Sequence, residues 1–308
     1  MKDNSNPEKP GSQEKNRLEN SIPKITIICS APDLASQNIK THLLSLKEWK
    51  LLELPENSGL SAARESQDGK FRLIDIEEIH VFQDGLDRKL ENAGLSASLI
   101  IFASKHRSKE EISSLTVHCT GNPSDDARLG GSPKSLAVSS PAAMKSILME
   151  MKRLAEQKDL KYDVTLEVTH HGPTELLVPS LYAEIGSTEM QWKDPEAGEV
   201  AAKAILAVSL EKVPVAVGFG GGHYAMRQTG LLFDTDISFG HNFPKYKLEF
   251  VDEALVKQAI EKSKADFAYF DRKSMKSEER KKISEILEKL GLNVLKESEI
   301  REKYGYKR

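Results

Sequence analysis

Two short stretches of this chain concentrate the side chains that could do chemistry. One reads EVTHHGPTE and carries Glu167, His170 and His171; the other reads GFGGGHYA and carries His223. Each begins as an apolar, β-branched run, which predicts a buried strand followed by a loop at its carboxyl end. In open α/β sheets that edge binds ligands, and histidine is both a general acid/base near neutral pH and a common zinc ligand. The pattern therefore predicts an acid/base or metal site built from these two loops.

The first stretch offers catalytic candidates in Glu167, His170 and His171, and His223 joins them from the second. Adjacent histidines point to opposite faces of a regular strand, so both can face a site only if the strand ends near Thr169. On a regular strand Glu167 would lie on the face opposite to His170. A carboxylate inside so apolar a run is costly unless it is paired or supports a metal-bound histidine.

The glycines of the second stretch have three interpretations. Bare amides of Gly220, Gly221 and Gly222 could stabilise an oxyanion or hold a phosphate. A tight turn that needs positive φ would require the same residues. A dinucleotide fingerprint is disfavoured, because its third glycine would fall at His223.

Other polar groups end further predicted strands. The run KHRS places Lys105, His106 and Arg107 after an apolar strand, where they could bind phosphate or remain solvated. His118 and His241 each lie beside a glycine-containing loop, whereas His42 and His80 have no polar cluster nearby in the sequence and are treated as background. The candidate metal ligands are His106, His118, His170, His171, His223 and His241.

Strand and helix patterns alternate along the chain and must position these groups. They predict a strand over 24–30, a helix over 34–46 capped by Asp33, and continuation of the sheet over 78–82. A later strand is expected to end at His170, and a helix capped by Asp194 to cover 195–210. Residues 120–140 are predicted to form a long loop. The alternation favours an α/β fold with three layers, α/β/α, around a mixed, mostly parallel sheet.

Composition limits the class of protein. The 308 residues are 39% hydrophobic and 30% charged, with no apolar run long enough to span a bilayer. We expect residues 1–22 to be a disordered tail and 23–308 to form a single domain. The two cysteines form no CxxC pair, which favours a reducing cytoplasm. The net charge of −3 argues against nucleic-acid binding over the whole surface. Residues 272–308 hold twelve Lys or Arg against seven Glu, which predicts either solvated helical faces or a phosphate-contacting surface.

The two stretches together resemble the archaeal-type D-aminoacyl-tRNA deacylases, which are also found in plants. The resemblance extends to Lys105–Ser108, to His118 with Gly121-Asn122, to Glu184–Glu189 with Trp192, and to Arg227 and Thr229, and it spans residue 24 to the C-terminus. Met226 stands where many members have proline, which removes no chemical group. The resemblance implies hydrolysis of the ester between a D-amino acid and the terminal ribose of tRNA. It also implies a zinc requirement and a fold similar to peptidyl-tRNA hydrolases and nucleoside phosphorylases.

We therefore expect a monomeric hydrolase that removes D-amino acids from mischarged tRNA and has no membrane partner. Zinc, as one or two ions, would be held by some of the six candidate histidines, and Lys105, Arg107 and Arg227 would hold the tRNA. A metal-free mechanism with His171 or His223 as general base stays open. The rivals are a purine nucleoside phosphorylase-like enzyme and a non-catalytic module that binds the 3′ end of tRNA.

Overall fold

The computed structural model describes residues 24–306, and the predicted tail over 1–22 lies outside the described residues. The strands are β1 (Lys24–Ser30), β2 (Trp49–Leu52), β3 (Ala62–Ser66), β4 (Phe71–Ile76), β5 (Ala97–Lys105), β6 (Ser114–His118), β7 (Gly121–Asn122), β8 (Ser135–Leu136), β9 (Asp163–Leu166), β10 (Ser180–Gly186), β11 (Val215–Phe219), β12 (Ser238–Phe243), β13 (Phe267–Phe270) and β14 (Val294–Leu295). The α-helices are α1 (Leu34–Leu46), α2 (Leu86–Asn92), α3 (Pro141–Gln157), α4 (Glu189–Trp192), α5 (Pro195–Leu206), α6 (Met226–Asp234), α7 (Glu253–Ser263), α8 (Ser277–Lys289) and α9 (Glu297–Tyr304).

Eight strands form the larger sheet, in the order β2-β3-β4-β1-β5-β10-β6-β9. The centre is parallel from β4 through β10, β6 runs antiparallel to β10, and β9 is parallel to β6. Helices α1, α3 and α5 pack together beside it, and α2 contributes Leu86 and Leu90 to a separate apolar cluster with Phe102 and Tyr182. The mixed, mostly parallel sheet with helices on its faces confirms the predicted α/β class.

A smaller parallel sheet, in the order β12-β11-β13-β14, lies beside the residues that follow β9. The amide of Thr169 donates to the carbonyl of Asn242 in β12, at 2.8 Å, and Glu167 pairs with Tyr224 as an isolated bridge. The first contact ties the EVTHHGPTE stretch to β12, and the bridge joins it to the GFGGGHYA stretch. No helix within residues 24–306 is long and apolar enough to cross a membrane.

Local signals in the sequence agree with several element boundaries. Asp33 and Asp194 cap α1 and α5, since their carboxylates accept the amides of Ser36 and Glu196 at 3.0 and 2.9 Å. The two cysteines are both buried and free. Apart from the two-residue pairing of β7 with β8, residues 120–140 form the predicted loop.

Three predicted elements are wrong in extent or type. The predicted continuation of the sheet over 78–82 is instead a short 3-10 helix, His80–Phe82. The strand expected to reach His170 ends at Leu166, because its pairing with β6 ends there and only isolated bridges follow. Helix α5 ends at Leu206 rather than at residue 210, where the chain turns toward β11.

Candidate active site

One face of the larger sheet carries the first group of polar side chains. In β10, Tyr182 lies opposite His118 of β6, and Glu184 follows two residues later. Because side chains alternate between the two faces of a strand, these three point to the same side. His106 follows β5 directly, and its ring reaches the same place, with Nδ1 3.9 Å from the Glu184 carboxylate. The antiparallel direction of β6 is what brings His118 beside Glu184, at 3.4 Å.

Glu167 is the centre of the cluster. Its carboxylate is buried, with Oε1 3.0 Å from His106 Nδ1 and Oε2 2.9 Å from His223 Nε2. Oε2 is also 3.5 Å from His170 Nε2. The expectation that Glu167 and His170 face apart is wrong, because β9 ends before both residues and the alternation of a regular strand no longer applies.

Three histidines form a second, overlapping group. His118, His170 and His171 have ring centroids 4.3 to 5.0 Å apart, and each directs Nδ1 at a main-chain carbonyl. In the neutral tautomer that places the proton on Nδ1, each Nε2 retains a lone pair. This is the arrangement in which proteins present imidazole to a metal ion.

The backbone at His171 explains how two consecutive histidines face one site. His171 has φ of 43°, in the left-handed region that non-glycine residues rarely adopt. That turn directs its ring alongside that of His170 instead of to the opposite side. Backbone conformations of this kind cost of order 1 to 3 kcal/mol and concentrate at functional sites.

Several polar atoms of the cluster are buried and lack a hydrogen-bond partner within residues 24–306. They are His118 Nε2, His223 Nε2 and both oxygens of Glu167. Their short distances to one another do not have hydrogen-bond geometry. Native proteins rarely leave such groups unsatisfied, so the cluster is arranged for a partner other than its own side chains.

Burial and charge separate the histidines into two kinds. For His106 and His118, burial alone would lower the pKa, but the carboxylates of Glu167 and Glu184 outweigh it and raise the pKa of both. For His171, burial and the neighbouring His118 lower the pKa to about 3. Burial would raise the pKa of Glu167, but the adjacent His106 and His223 hold it well below its usual range. The carboxylate is therefore charged at neutral pH while His171 is neutral.

The cluster opens into a cavity of about 520 Å³. His106, His170, His171, Glu184 and His223 all line it. A smaller cavity of about 160 Å³ adjoins it and shares His170 and His171. A substrate of two parts could therefore extend past the histidines on more than one side. We refer to the larger space as the central cavity.

The structure does not bring all the predicted site residues together. His241 lies in β12, fully buried, with Nε2 3.0 Å from the Ala137 carbonyl and Nδ1 3.1 Å from Thr169 Oγ1. Both ring nitrogens are therefore engaged inside the protein. As a candidate metal ligand His241 does not fit, because no ring nitrogen is left to face the cavity.

Fewer amides of the glycine loop are available to stabilise an oxyanion than its sequence suggests. The Gly220 amide donates to the Phe243 carbonyl at 2.8 Å, and the Gly221 amide donates to Ser274 Oγ at 2.6 Å. Among the three glycines, only Gly222 has an amide with no acceptor in the described part of the chain. Gly220 and Gly221 have φ of 94° and 90°, so the alternative of a tight turn accounts for these two.

The three predicted tRNA-binding cations lie in two places. Lys105 and Arg107 line the central cavity. Arg227 lines a separate cavity of about 180 Å³ and is held by Asp271 at 3.2 Å and Glu297 at 3.3 Å. These ion pairs occupy its guanidinium, so Arg227 does not join Lys105 and Arg107 at the histidines.

Sequence reasoning missed several residues of the site. His80, treated as background, is buried at the central cavity, with Nδ1 3.7 Å from Asp33, a residue recognised only as a helix cap. Glu184 was noted only as part of the family resemblance. A carboxylate within the apolar strand SLYAEIG was the available signal, since such a group is costly without a partner.

Comparison with known proteins identifies the family. Residues 93–295 match the family model described as D-aminoacyl-tRNA deacylase. A D-aminoacyl-tRNA deacylase of Methanosarcina barkeri is 90% identical over 305 residues, which cover 99% of this chain and 100% of the relative. One from Archaeoglobus fulgidus is 38% identical over 281 residues, covering 90% and 98%. A crystal structure described as a conserved protein of unknown function is 37% identical, with a TM-score of 0.85 over 93% of this chain and 99% of that chain. These matches confirm the resemblance noted in the sequence: this chain belongs to the D-aminoacyl-tRNA deacylase family.

Proposed function

We propose that this protein hydrolyses the ester that links a D-amino acid to the terminal ribose of tRNA, and that it requires zinc. The observation that carries the proposal is the buried Glu167 carboxylate, whose oxygens lie 2.9 to 3.5 Å from ring nitrogens of His106, His170 and His223. A carboxylate ringed by imidazoles at the wall of a cavity suits hydrolysis by an activated water.

The donor set fits zinc. Three overlapping groups of three offer ligand atoms within 4.8 Å of one another, namely His118, His170 and His171; His106, Glu167 and His223; and His118, Glu167 and Glu184. Imidazole nitrogen and carboxylate oxygen are ordinary zinc ligands, and three protein ligands with an open position is the pattern of catalytic sites. When bound, zinc would lower the pKa of a coordinated water to about 7 and so supply a nucleophile at neutral pH.

The chain's own groups would perform the remaining tasks. The carbonyls facing Nδ1 of His118, His170 and His171 would fix the ring tautomers. Glu184, whose carboxylate lies 3.4 Å from His118 Nε2, would share a metal ion with that nitrogen. The free amide of Gly222 is the one left in the glycine loop to donate to a developing oxyanion. Lys105 and Arg107, at the cavity wall, would attract the phosphates of the tRNA.

A metal-free mechanism is the second candidate, and the pairing of His223 with Glu167 favours it. The carboxylate lies 2.9 Å from His223 Nε2 and would orient the ring. The opposite nitrogen, Nδ1, lies 3.5 Å from the Tyr246 hydroxyl at the exposed side of the loop. The other original candidate, His171, is disfavoured as a general base, because burial and the neighbouring His118 lower its pKa to about 3.

The proposal is tested by hydrolysis of D-tyrosyl-tRNA and L-tyrosyl-tRNA by the purified protein. We expect release of D-tyrosine without added phosphate and little release of L-tyrosine. Equal rates on both esters would contradict the chirality preference. A requirement for inorganic phosphate would favour a phosphorylase-like reaction, and tight binding of tRNA without turnover would favour a binding module.

A further inference from the structure

A cavity of about 550 Å³ opens next to the central cavity and shares Arg107 with it. Trp192 of α4 and Lys109 of the loop that follows β5 both line it. We call it the Trp192 cavity. It is as large as the central cavity. Arg107, assigned above to the tRNA phosphates, is shared by both cavities, and no group assigned to hydrolysis lines the Trp192 cavity.

The indole of Trp192 is held in a fixed position relative to the reacting groups. Its Nε1 donates to the main-chain carbonyl of His106 at 2.9 Å, and the His106 ring is the one that contacts Glu167. Lys105 Nζ lies 5.4 Å from the centre of the indole ring. The ring is partly exposed, and His106, to which it is bonded, belongs to the catalytic cluster. A nucleotide base could therefore stack on the ring close to the reacting groups.

The charge around this ring favours a polyanion. Lys105, Arg107 and Lys109 follow one another at alternate positions, and none makes an ion pair within residues 24–306. Of the acidic neighbours, Glu189 is paired with Lys193 at 2.5 Å, which leaves Glu111 as the unpaired carboxylate of the lining. Unpaired cations beside an aromatic ring are typical of sites that bind single-stranded nucleic acid.

We propose that the Trp192 cavity binds the 3′-terminal nucleotide of the tRNA, an inference that rests on the proposed function. The terminal base stacks on Trp192, and its 5′-phosphate contacts Arg107 and Lys109. Because Arg107 belongs to both cavities, this placement directs the ribose hydroxyl that carries the ester toward His106 and Glu167. The amino acid then occupies the central cavity.

The first test uses tryptophan fluorescence, since the chain has two tryptophans. Trp49 lies on the edge strand β2, four strand spacings from β5 or about 19 Å, so it reports no event at this cavity. In the full-length Trp49→Phe protein, AMP is expected to quench the remaining emission in a saturable way. In the Trp192→Phe protein AMP should not change it. Absence of quenching in Trp49→Phe, or equal quenching by inorganic phosphate alone, would overturn the stacking site.

The second test uses turnover of D-tyrosyl-tRNA. Trp192→Leu should raise KM by about tenfold, the size expected for the loss of one stacked base, with a smaller change in kcat. Trp192→Phe keeps an aromatic face but loses the bond to the His106 carbonyl, so it should recover most of the KM effect. A Trp192→Phe protein as impaired as Trp192→Leu would show that the residue only supports His106. AMP quenching in a protein that lacks deacylase activity would refute the proposed function but not the nucleotide site.

Discussion

Two regions of this protein contain buried or half-buried histidines, and the ring nitrogens have different partners in the two regions. In β12, His241 engages Nε2 with a carbonyl and Nδ1 with the Thr169 hydroxyl, so the core satisfies the whole ring. At the cavity, His118, His170 and His171 engage only Nδ1 with a carbonyl and keep Nε2 toward one another. His170 and His171 are only half-buried, but His118 is as buried as His241, so burial alone does not separate a structural histidine from a functional one. What separates the two kinds is the number of ring nitrogens that bond to the protein's own groups.

The largest effect is expected from Glu167→Gln. Turnover of D-tyrosyl-tRNA should fall by at least about a hundredfold, because the change removes the charge that faces His106, His170 and His223. The free energy of unfolding at neutral pH should also decrease, because His106 and His223 stabilise the charged form of this carboxyl in the folded protein and the amide carries no charge. Kinetics and thermal melting measure the two quantities.

Glu175→Gln is the matched control for that substitution. Glu175 belongs to the same stretch, but it is exposed and accepts a hydrogen bond from Ser132 Oγ at 2.6 Å. Turnover should stay at the wild-type rate in this variant. Equal losses in both variants, or none in Glu167→Gln, would show that Glu167 is a structural residue.

Substitution of the site histidines should have the next largest effect. His171→Ala and His223→Ala should each reduce turnover by about a hundredfold or more while the protein stays folded. His171→Ala should also reduce the zinc bound per chain, whereas His42→Ala, on α1, should change neither quantity. Wild-type rates in both site variants would exclude these two rings from the reaction.

His241→Asn should give the opposite pattern, a loss of stability with retention of zinc. Losing the contact with the Ala137 carbonyl leaves a buried acceptor unpaired, at a cost of about 1 to 3 kcal/mol. Chemical denaturation measures this loss, and metal analysis of the same sample measures the zinc. A variant that loses its zinc but keeps its stability would contradict the assignment of His241 to the core.

The same residue should make stability depend on pH. Burial lowers the pKa of His241 to about 3, whereas in the unfolded chain a histidine titrates near 6.5. Between these two pKa values the unfolded state binds one proton more than the folded state. The contribution of His241 to the free energy of unfolding is therefore fully present above about pH 6.5 and falls by about 1.4 kcal/mol per pH unit on acidification. Denaturation of wild type and His241→Asn between pH 6 and pH 4 should therefore show a shallower slope in the variant. Equal slopes would contradict a neutral, buried His241.

A weaker effect is expected at the basic C-terminal helix. Lys281→Gln together with Lys282→Gln should weaken tRNA binding slightly and lower its salt dependence, without changing the preference for D-esters. Arg280 is unsuitable for this test, because its guanidinium donates to the carbonyls of Arg272 and Met275. Salt dependence identical to wild type would exclude α8 from the tRNA-binding surface.

The smallest effect is expected from deletion of residues 1–20. The segment holds four cationic and four acidic residues and only two apolar ones, Met1 and Leu18, so it offers no net attraction to tRNA. Turnover and melting of the truncated protein should match the full chain. Loss of turnover would instead assign the segment to the active site.

The sequence predicted the fold class and most of the histidines, since apolar runs and the residues that follow them are local signals. It missed β12, whose glycine, histidine and asparagine are poor strand formers, because pairing with β11 determines that strand. It underrated Glu184, because the contact with His118 depends on the antiparallel register of β6 and β10. The exclusion of His241 likewise depended on contacts with Ala137 and Thr169, which are distant in sequence.

The most direct test of the central claim is turnover of D-tyrosyl-tRNA before and after removal of metal. Protein purified without added zinc should contain zinc, should lose turnover when a chelator removes it, and should recover turnover when zinc is returned. That result would establish that the free nitrogens of His118, His170 and His171 and the Glu167 carboxylate serve a metal ion. Full turnover by metal-free protein would contradict the claim and leave His223, oriented by Glu167, as the general base.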